Sequence, residues 1–305
     1  MTNPLLDCIV IGGGPAGLTA ALYLARFRRT VCVIDAGESR AGWIPVSHNQ
    51  PLFPAGISGA EILGRMREHL TLLGTEILSD KAIALARIDQ GFLVELAEQA
   101  AAARTLLLAT GVVNHRPDMD AQLHRDAVAA GLIRYCPICD GFEAKDQKIV
   151  VLGRGPHGVR EALFLRTYSQ DVTLFCDPSA LDDRGMGQLA AAGISLIEQP
   201  VACLTIDQAR IVIETASGPC LRFDTLYPAL GSSSNTDLFL SSGGSLSSEG
   251  CIPVNSHQMT NVQGLYAAGD VVQGLDQISV ACGQAAIAAT AVHNRLRDLD
   301  GLGDP

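Results

Sequence analysis

The chain lacks any apolar run of the ~18 residues that a membrane-spanning helix needs, which excludes a helical membrane anchor. It also lacks a basic cluster. Lys and Arg number 22 against 32 Asp and Glu, and a net charge of −10 argues against a nucleic-acid surface. The opening stretch Met1-Thr2-Asn3-Pro4-Leu5-Leu6-Asp7 has no basic region of a secretory signal and runs straight into an apolar strand, so a cytoplasmic location is expected. The nine cysteines, at 8, 32, 136, 139, 176, 203, 220, 251 and 282, are odd in number and scattered, which excludes the framework of a small secreted disulfide protein. Only Cys136 and Cys139 form a close pair. No second CxxC, CxxH or HxxxH accompanies them, so a zinc site would lack half of its ligands, and no metal is expected.

What is present is repetition. With 305 residues, 48% of them hydrophobic, the chain can build two domains of ordinary size. The strand-like run Asp7-Cys8-Ile9-Val10-Ile11 leads into Gly12-Gly13-Gly14-Pro15-Ala16-Gly17. A helical stretch follows, with Leu18, Ala21, Leu22 and Ala25 spaced for one face, and then Val31 to Ile34 ends at Asp35. The plan recurs as Lys148 to Leu152, Gly153-Arg154-Gly155-Pro156-His157-Gly158, a helical Val159 to Tyr168, and Val172 to Cys176 ending at Asp177. Each copy adds a hairpin pattern, Leu85 to Leu96 and Leu204 to Glu214, and a closing strand ending in Thr110-Gly111 or Leu230-Gly231.

Isolated glycine motifs can be ordinary turns. Here each follows a strand, opens a helix and precedes an acid near the end of the next strand, which is the pattern of a dinucleotide cradle. The glycines permit the turn, let the backbone approach a pyrophosphate and pack helix on strand, while the helix N-terminus offers N–H donors. Between the two cradles lies Cys136-Pro137-Ile138-Cys139-Asp140-Gly141, a dithiol placed to move electrons through sulfur. Past Gly231 the chain turns rich in Gly and Ser, then reads Gly264-Leu265-Tyr266-Ala267-Ala268-Gly269-Asp270 and a long Ala-rich helix from about Gln277 to Leu299.

In this order the motifs resemble those of the low-molecular-weight thioredoxin reductases, over nearly the whole chain. The resemblance implies an α/β fold with two Rossmann-like domains of three-layer ββα form, the second inserted in the first. An FAD-binding domain would comprise 1–113 and 244–305, and a second dinucleotide-binding domain with the dithiol would comprise 114–243. It implies a homodimer as well. By position, Gly12, Gly14, Pro15, Ala16 and Gly17 would meet the FAD pyrophosphate, and Asp35 the adenosine ribose. Asn49, Thr110, Gly111, Gly269, Asp270 and Gln277 would line the rest of the flavin. Cys139 would exchange electrons with the flavin, Cys136 with the disulfide partner, and Asp140 would shuttle the proton. Family members rotate the inserted domain, and the joints here would be 111–115 and 231–235.

The chain also departs from that pattern. NADPH-dependent members carry a His-Arg-Arg run after the second strand of the inserted domain, where cations meet the 2′-phosphate. Here Cys176-Asp177-Pro178-Ser179-Ala180-Leu181-Asp182-Asp183 stands there, and the next cation is Arg184. An acid repels a 2′-phosphate but accepts from a free 2′-hydroxyl, unless Asp177 is only a turn residue. Asp276 stands where the family has Arg, Glu143 where it has an apolar or aromatic residue, and Arg154 and His157 lie inside the second fingerprint. Gly153, Gly155, Gly158 and Asp177 therefore suit NADH, or a second FAD, or no occupant. The expected activity is FAD-dependent thiol–disulfide exchange at Cys136–Cys139, independent of NADPH, with a thioredoxin-like protein or a small molecule as disulfide or dithiol partner. An NAD(P)H-dependent thioredoxin reductase, an FAD-dependent dithiol oxidase and a flavin-bound redox sensor are the alternatives.

Overall fold

The strand Leu6–Ile11 carries apolar residues at consecutive positions, and Cys8 to Ile11 are buried without alternation, as a central parallel strand requires. The computed structural model describes residues 5–215, 218 and 220–302; Met1–Pro4, part of the N-terminal reading above, and the last three residues of the 244–305 segment lie outside them. The chain divides into two compact units: residues 1–42, 59–113 and 233–305, and residues 43–58 and 114–232.

In the first unit, Leu6–Ile11 pairs in parallel with Val31–Ile34 and with Ala100–Leu108. Glu76–Leu78 and Leu265–Ala267 extend the parallel part on either side. The hairpin Ala84–Ile88 and Gly91–Glu95 joins antiparallel to the first half of Ala100–Leu108, completing seven strands among the described residues. Parallel neighbours need a crossover, and the helix Pro15–Arg26 supplies the first one. Its burial is broader than the one-face spacing suggests. Ala16 through Ala21 and Leu24 are all buried, while Leu22 and Ala25 are half-buried, because the Ala-rich helix Ile278–Leu299 packs along it as well. Small residues (Ala281, Ala285, Ala288, Ala289) let that second helix approach closely.

The second unit repeats the plan with a four-stranded parallel sheet in the order Ser195–Ile197, Val172–Phe175, Ile149–Gly153, Thr225–Ala229. Val201–Asp207, Arg210–Thr215 and Leu221–Phe223 form its antiparallel layer. The helix Gly155–Leu165 starts earlier and stops earlier than the sequence suggests; Pro156 in its first turn needs no hydrogen bond and pre-sets φ.

The unit boundaries differ from the expected ones in two places. The chain returns to the first unit at residue 233, not 244, because the helix Asp237–Ser241 buries Phe239 in that unit's core beside Ile252 and Leu265. The Gly- and Ser-rich composition hid this anchor. Residues 43–58 pack with the second unit. Trp43 stacks edge-on to His124 and Tyr135, and the Arg116 guanidinium lies 4.2 Å from its ring centroid.

Candidate active site

The first glycine loop is built around Asp35. Its N–H extends the sheet by bonding to the Leu78 carbonyl, and its carboxylate accepts from the Gly37 N–H and from Arg67, each at 2.9 Å. The loop passes so close that a Cβ on Gly13 would lie 2.1 Å from that carboxylate, and a Cβ on Gly17 would lie 1.8 Å from the Gly12 carbonyl oxygen. Over Gly14 the space is open except for the Ser39 hydroxyl. Beside Asp35 is a cleft of about 440 Å³ lined by Gly37, Glu38, Arg67, Ser79 and Lys81. An acid fixed at the loop, an open face over Gly14 and an adjoining cleft fit the adenosine diphosphate half of FAD. Pro15 and Ala16 open the helix whose N-terminus faces that space.

Farther along the sheet, the first unit gathers groups distant in sequence. Arg40 pairs with Asp270 at 3.1 Å and with Asp276 at 2.9 Å. Arg40 thus bridges these two acids from another part of the chain. Burial, then the neighbouring Asp276, raises the Asp270 carboxyl above its ordinary value despite Arg40. Gly269 donates its N–H to Gln284, and Gln277 caps the helix Ile278–Leu299. The Thr110 hydroxyl donates to the Asn235 carbonyl, whose side-chain amide returns a bond to Thr110, and the Asn235 N–H meets the Gly111 carbonyl. Asn49 lies in the 43–58 segment, grouped with the second unit, where its side-chain oxygen accepts from Ser47 and Gln50.

The dithiol belongs to the second unit. Pro137 starts a four-residue helix, Cys136 is its N-cap, and the Cys139 N–H points at the Cys136 sulfur at 3.2 Å. The two sulfurs are joined in a disulfide. Asp140 ends the helix half-buried. Its Oδ1 accepts from the Tyr227 hydroxyl at 3.0 Å, and its Oδ2 lies 3.4 Å from Arg134. Burial raises the Asp140 carboxyl above the usual carboxylate range, outweighing Arg134 and Tyr227, which pull it down. Burial also raises the Tyr227 phenol. Glu143, four residues after Cys139, has one oxygen 4.0 Å from His48 and the other buried without a hydrogen-bond partner. Elsewhere burial pushes the Cys8 thiol up to about 12 and Cys32 up to about 11, which keeps both as inert thiols.

The second fingerprint differs from the first in its details. Gly153 and Gly158 pack face to face, with a Cβ on Gly153 falling 2.6 Å from Gly158. Gly155 begins the helix, with the Ala180 carbonyl 3.2 Å from its would-be Cβ. Arg154 occupies the place of Gly13, and it and His157 are solvent-exposed. Asp177 is exposed and turned onto its own chain: its carboxylate accepts from the Ser179 N–H at 2.9 Å and hydroxyl at 2.7 Å. Asp182 is likewise engaged, capping the next helix through the Gly185 N–H at 2.8 Å. No cation replaces the missing cluster between Asp177 and Asp183.

Each unit thus carries its own set of candidate residues. Sequence reading names the glycines, Asp35, Asp270, Asp140 and the dithiol as candidates. Their partners Arg40, Arg67, Gln284, Arg134 and Tyr227 carry no local motif and come from the structure alone.

A family model described as pyridine nucleotide-disulphide oxidoreductase matches residues 6–285. A thioredoxin reductase of Streptomyces clavuligerus is 29% identical, covering 98% of this chain and 97% of its own. Another, from Streptomyces coelicolor, is 30% identical over 87% of this chain and 86% of its own. The crystal structure of HlmI superposes with a TM-score of 0.90 at 30% identity, covering 99% of this chain and 96% of that one. A thioredoxin reductase structure from Streptococcus pyogenes gives 0.88 at 26% identity, over 97% and 100%.

Proposed function

The chain belongs to the pyridine nucleotide-disulphide oxidoreductase family, and from that premise we propose that it passes electrons between FAD and the Cys136–Cys139 pair without using NADPH. It is a flavin disulfide oxidoreductase of the thioredoxin reductase kind. One observation carries the finer reading. Where a 2′-phosphate would need cations, the second unit offers Asp177, Asp182 and Asp183, and the first two already accept bonds from Ser179 and Gly185. Between Asp177 and Asp183 the sequence supplies no cation for a 2′-phosphate.

The loop 12–17, Asp35 and the Gly269–Asp270 turn would hold FAD, which would supply a two-electron carrier. The chain's own residues supply the rest. Cys139 would take the electron pair on sulfur, and Cys136 would meet the partner. Asp140, whose carboxyl burial raises above its ordinary value, would give a proton to the sulfur that leaves as thiolate. The adenosine of NADH or of a second FAD would bond to Asp177 through Oδ2, since both Ser179 bonds go to Oδ1. We take a thioredoxin-like protein as the disulfide partner, in keeping with relatives named thioredoxin reductases, with a small dithiol as the competing outcome. A homodimer in the cytoplasm is part of the same proposal.

Anaerobic stopped-flow mixing tests the donor. Neither NADPH nor buffer should bleach the oxidised flavin band on the turnover timescale, while a reduced dithiol should. Rapid bleaching by NADPH would sink the reading. Releasing the flavin by denaturation and counting it per chain decides whether the second cradle holds another FAD.

A further inference from the structure

Arg134 is a half-buried cation two residues before Cys136, outside every motif of the chain. A short parallel bridge places it. The Leu226 N–H bonds to the Leu132 carbonyl at 2.8 Å and the Arg134 N–H to the Leu226 carbonyl at 2.9 Å, which joins 132–134 to the strand Thr225–Ala229. The next residue of that strand is Tyr227, wholly buried. Both side chains meet one carboxylate. Asp140 Oδ1 accepts from the Tyr227 hydroxyl at 3.0 Å, and Oδ2 lies 3.4 Å from Arg134 Nη1. The same hydroxyl lies 3.2 Å from the Asp140 carbonyl oxygen, so it holds the end of the dithiol helix as well as its acid. Asp140 is the one acid in ion-pair reach of Arg134 among the described residues.

Other charged groups approach Asp140 from the elements packed on its helix. The turn Phe142–Ala144 brings Glu143, and the helix Gly155–Leu165 brings His157, Arg160 and Glu161. Burial raises the Asp140 carboxyl and Glu143 adds to the rise, while Arg134 and Tyr227 oppose both. Burial, then the Asp140 charge, pushes the Glu161 carboxyl up to about 7. A proton on Asp140 Oδ2 would face a guanidinium, which has no acceptor. With Oδ1 turned to a hydroxyl and Oδ2 to a cation, the surroundings suit the anion.

We propose that Arg134 is a positioning residue for proton transfer at the dithiol: it pairs with Asp140 Oδ2 while Tyr227 holds Oδ1, so that the acid meets an incoming thiol as a carboxylate in a fixed place. The inference rests on the reading that Asp140 serves Cys136 and Cys139. Arg134 touches no reacting sulfur in this role; it acts through Asp140.

The proton count closes. The first thiol of an external dithiol gives its proton to the Asp140 carboxylate, and its sulfur attacks Cys136. A mixed disulfide forms, the Cys136–Cys139 bond breaks, and the departing Cys139 sulfur takes the proton from Asp140. The second external thiol gives its proton to the restored carboxylate, and its sulfur displaces Cys136, which takes that proton in turn. The external sulfurs are oxidised, the enzyme sulfurs reduced, and Asp140 ends as it began.

Infrared pH titration of the purified, flavin-loaded protein carrying isotope-labelled aspartate tests this, with Asp140→Asn assigning the Asp140 band. Wild-type Asp140 should be ionised at neutral pH. Arg134→Gln should raise its midpoint by about one unit or more, tenfold in proton concentration, as loss of a neighbouring cation requires. Arg134→Lys, which keeps the charge, should stay within about half a unit of wild type. A wild-type Asp140 still protonated at neutral pH, or an Arg134→Gln midpoint that stays in place, overturns the proposal. If Arg134→Gln does not fold, Arg134→Lys decides alone, and a Lys midpoint raised by about a full unit overturns it. The pH profile of flavin bleaching by dithiothreitol is read on the same samples and should move up with the midpoint. Midpoints that behave as stated beside an unmoved bleaching profile condemn the functional reading of Asp140 and spare the ion pair, whereas a profile that moves over unmoved midpoints condemns the role of Arg134.

Discussion

The Asp177 carboxylate accepts from both the backbone N–H and the hydroxyl of Ser179, at 2.9 and 2.7 Å. In the first unit the corresponding acid, Asp35, is buried against the glycine loop and held by Arg67. The two cradles thus share a sequence plan and differ in what their acids do. If Asp177 is a turn residue, Asp177→Asn should leave flavin content and dithiol-driven flavin reduction within about twofold of wild type, as expected of an exposed surface substitution. Loss of most of the activity in that assay would mean that the acid serves a nucleotide.

The close approach of Gly13 to Asp35 makes a sharper prediction. Gly13→Ala puts a methyl group 2.1 Å from a carboxylate that Arg67 and the Gly37 N–H hold in place. The expected outcome is a colourless or insoluble protein. Gly64→Ala is the control, since nothing lies within 4 Å of its would-be Cβ in the helix Gly59–Leu72. It should keep its flavin and gain up to about 1 kcal/mol. Absorbance of the purified variants and urea denaturation check both.

Removing the Tyr227 hydroxyl should act on Asp140 in a defined direction. The bond it donates favours the Asp140 anion, so Tyr227→Phe should raise the carboxyl further and extend proton donation to higher pH. The pH profile of dithiol-driven bleaching should move upward, and the protein should lose about 1–2 kcal/mol in urea unfolding. A profile that moves downward contradicts the assignment.

Glu161 also makes stability depend on pH. Its folded value of about 7 lies above the ordinary 4.5. The folded state therefore holds a proton that the unfolded chain releases, and wild-type stability declines as pH rises from about 4.5 through about 7. Glu161→Gln removes that decline. Its melting temperature should exceed that of wild type at pH 8, by the equivalent of at most about 3 kcal/mol, with little difference at pH 4. Parallel curves at both pH values would refute the linkage.

Much of this fold was legible because its signals are local. A glycine loop between strand and helix is decided within a few residues, and both such loops appear where the sequence places them, whereas the Cys136 N-cap and the start of the second helix at Gly155 were not read from it. The missing part is tertiary. Arg40 lies 230 and 236 residues from Asp270 and Asp276, and Tyr227 lies 87 residues from Asp140. Composition also misled at 233–243, where Gly and Ser surround a buried Phe239. No local rule shows that 43–58 packs with the second unit, since Trp43 settles there through ring contacts with residues far along the chain.

The central claim is that electrons reach the flavin through sulfur. Anaerobic addition of dithiothreitol to wild type and to Cys139→Ser, followed at the oxidised flavin band, tests it most directly. Wild type should bleach as Cys136 and Cys139 become thiols, and Cys139→Ser should stay yellow over the same period. Bleaching of Cys139→Ser at the wild-type rate would contradict the account.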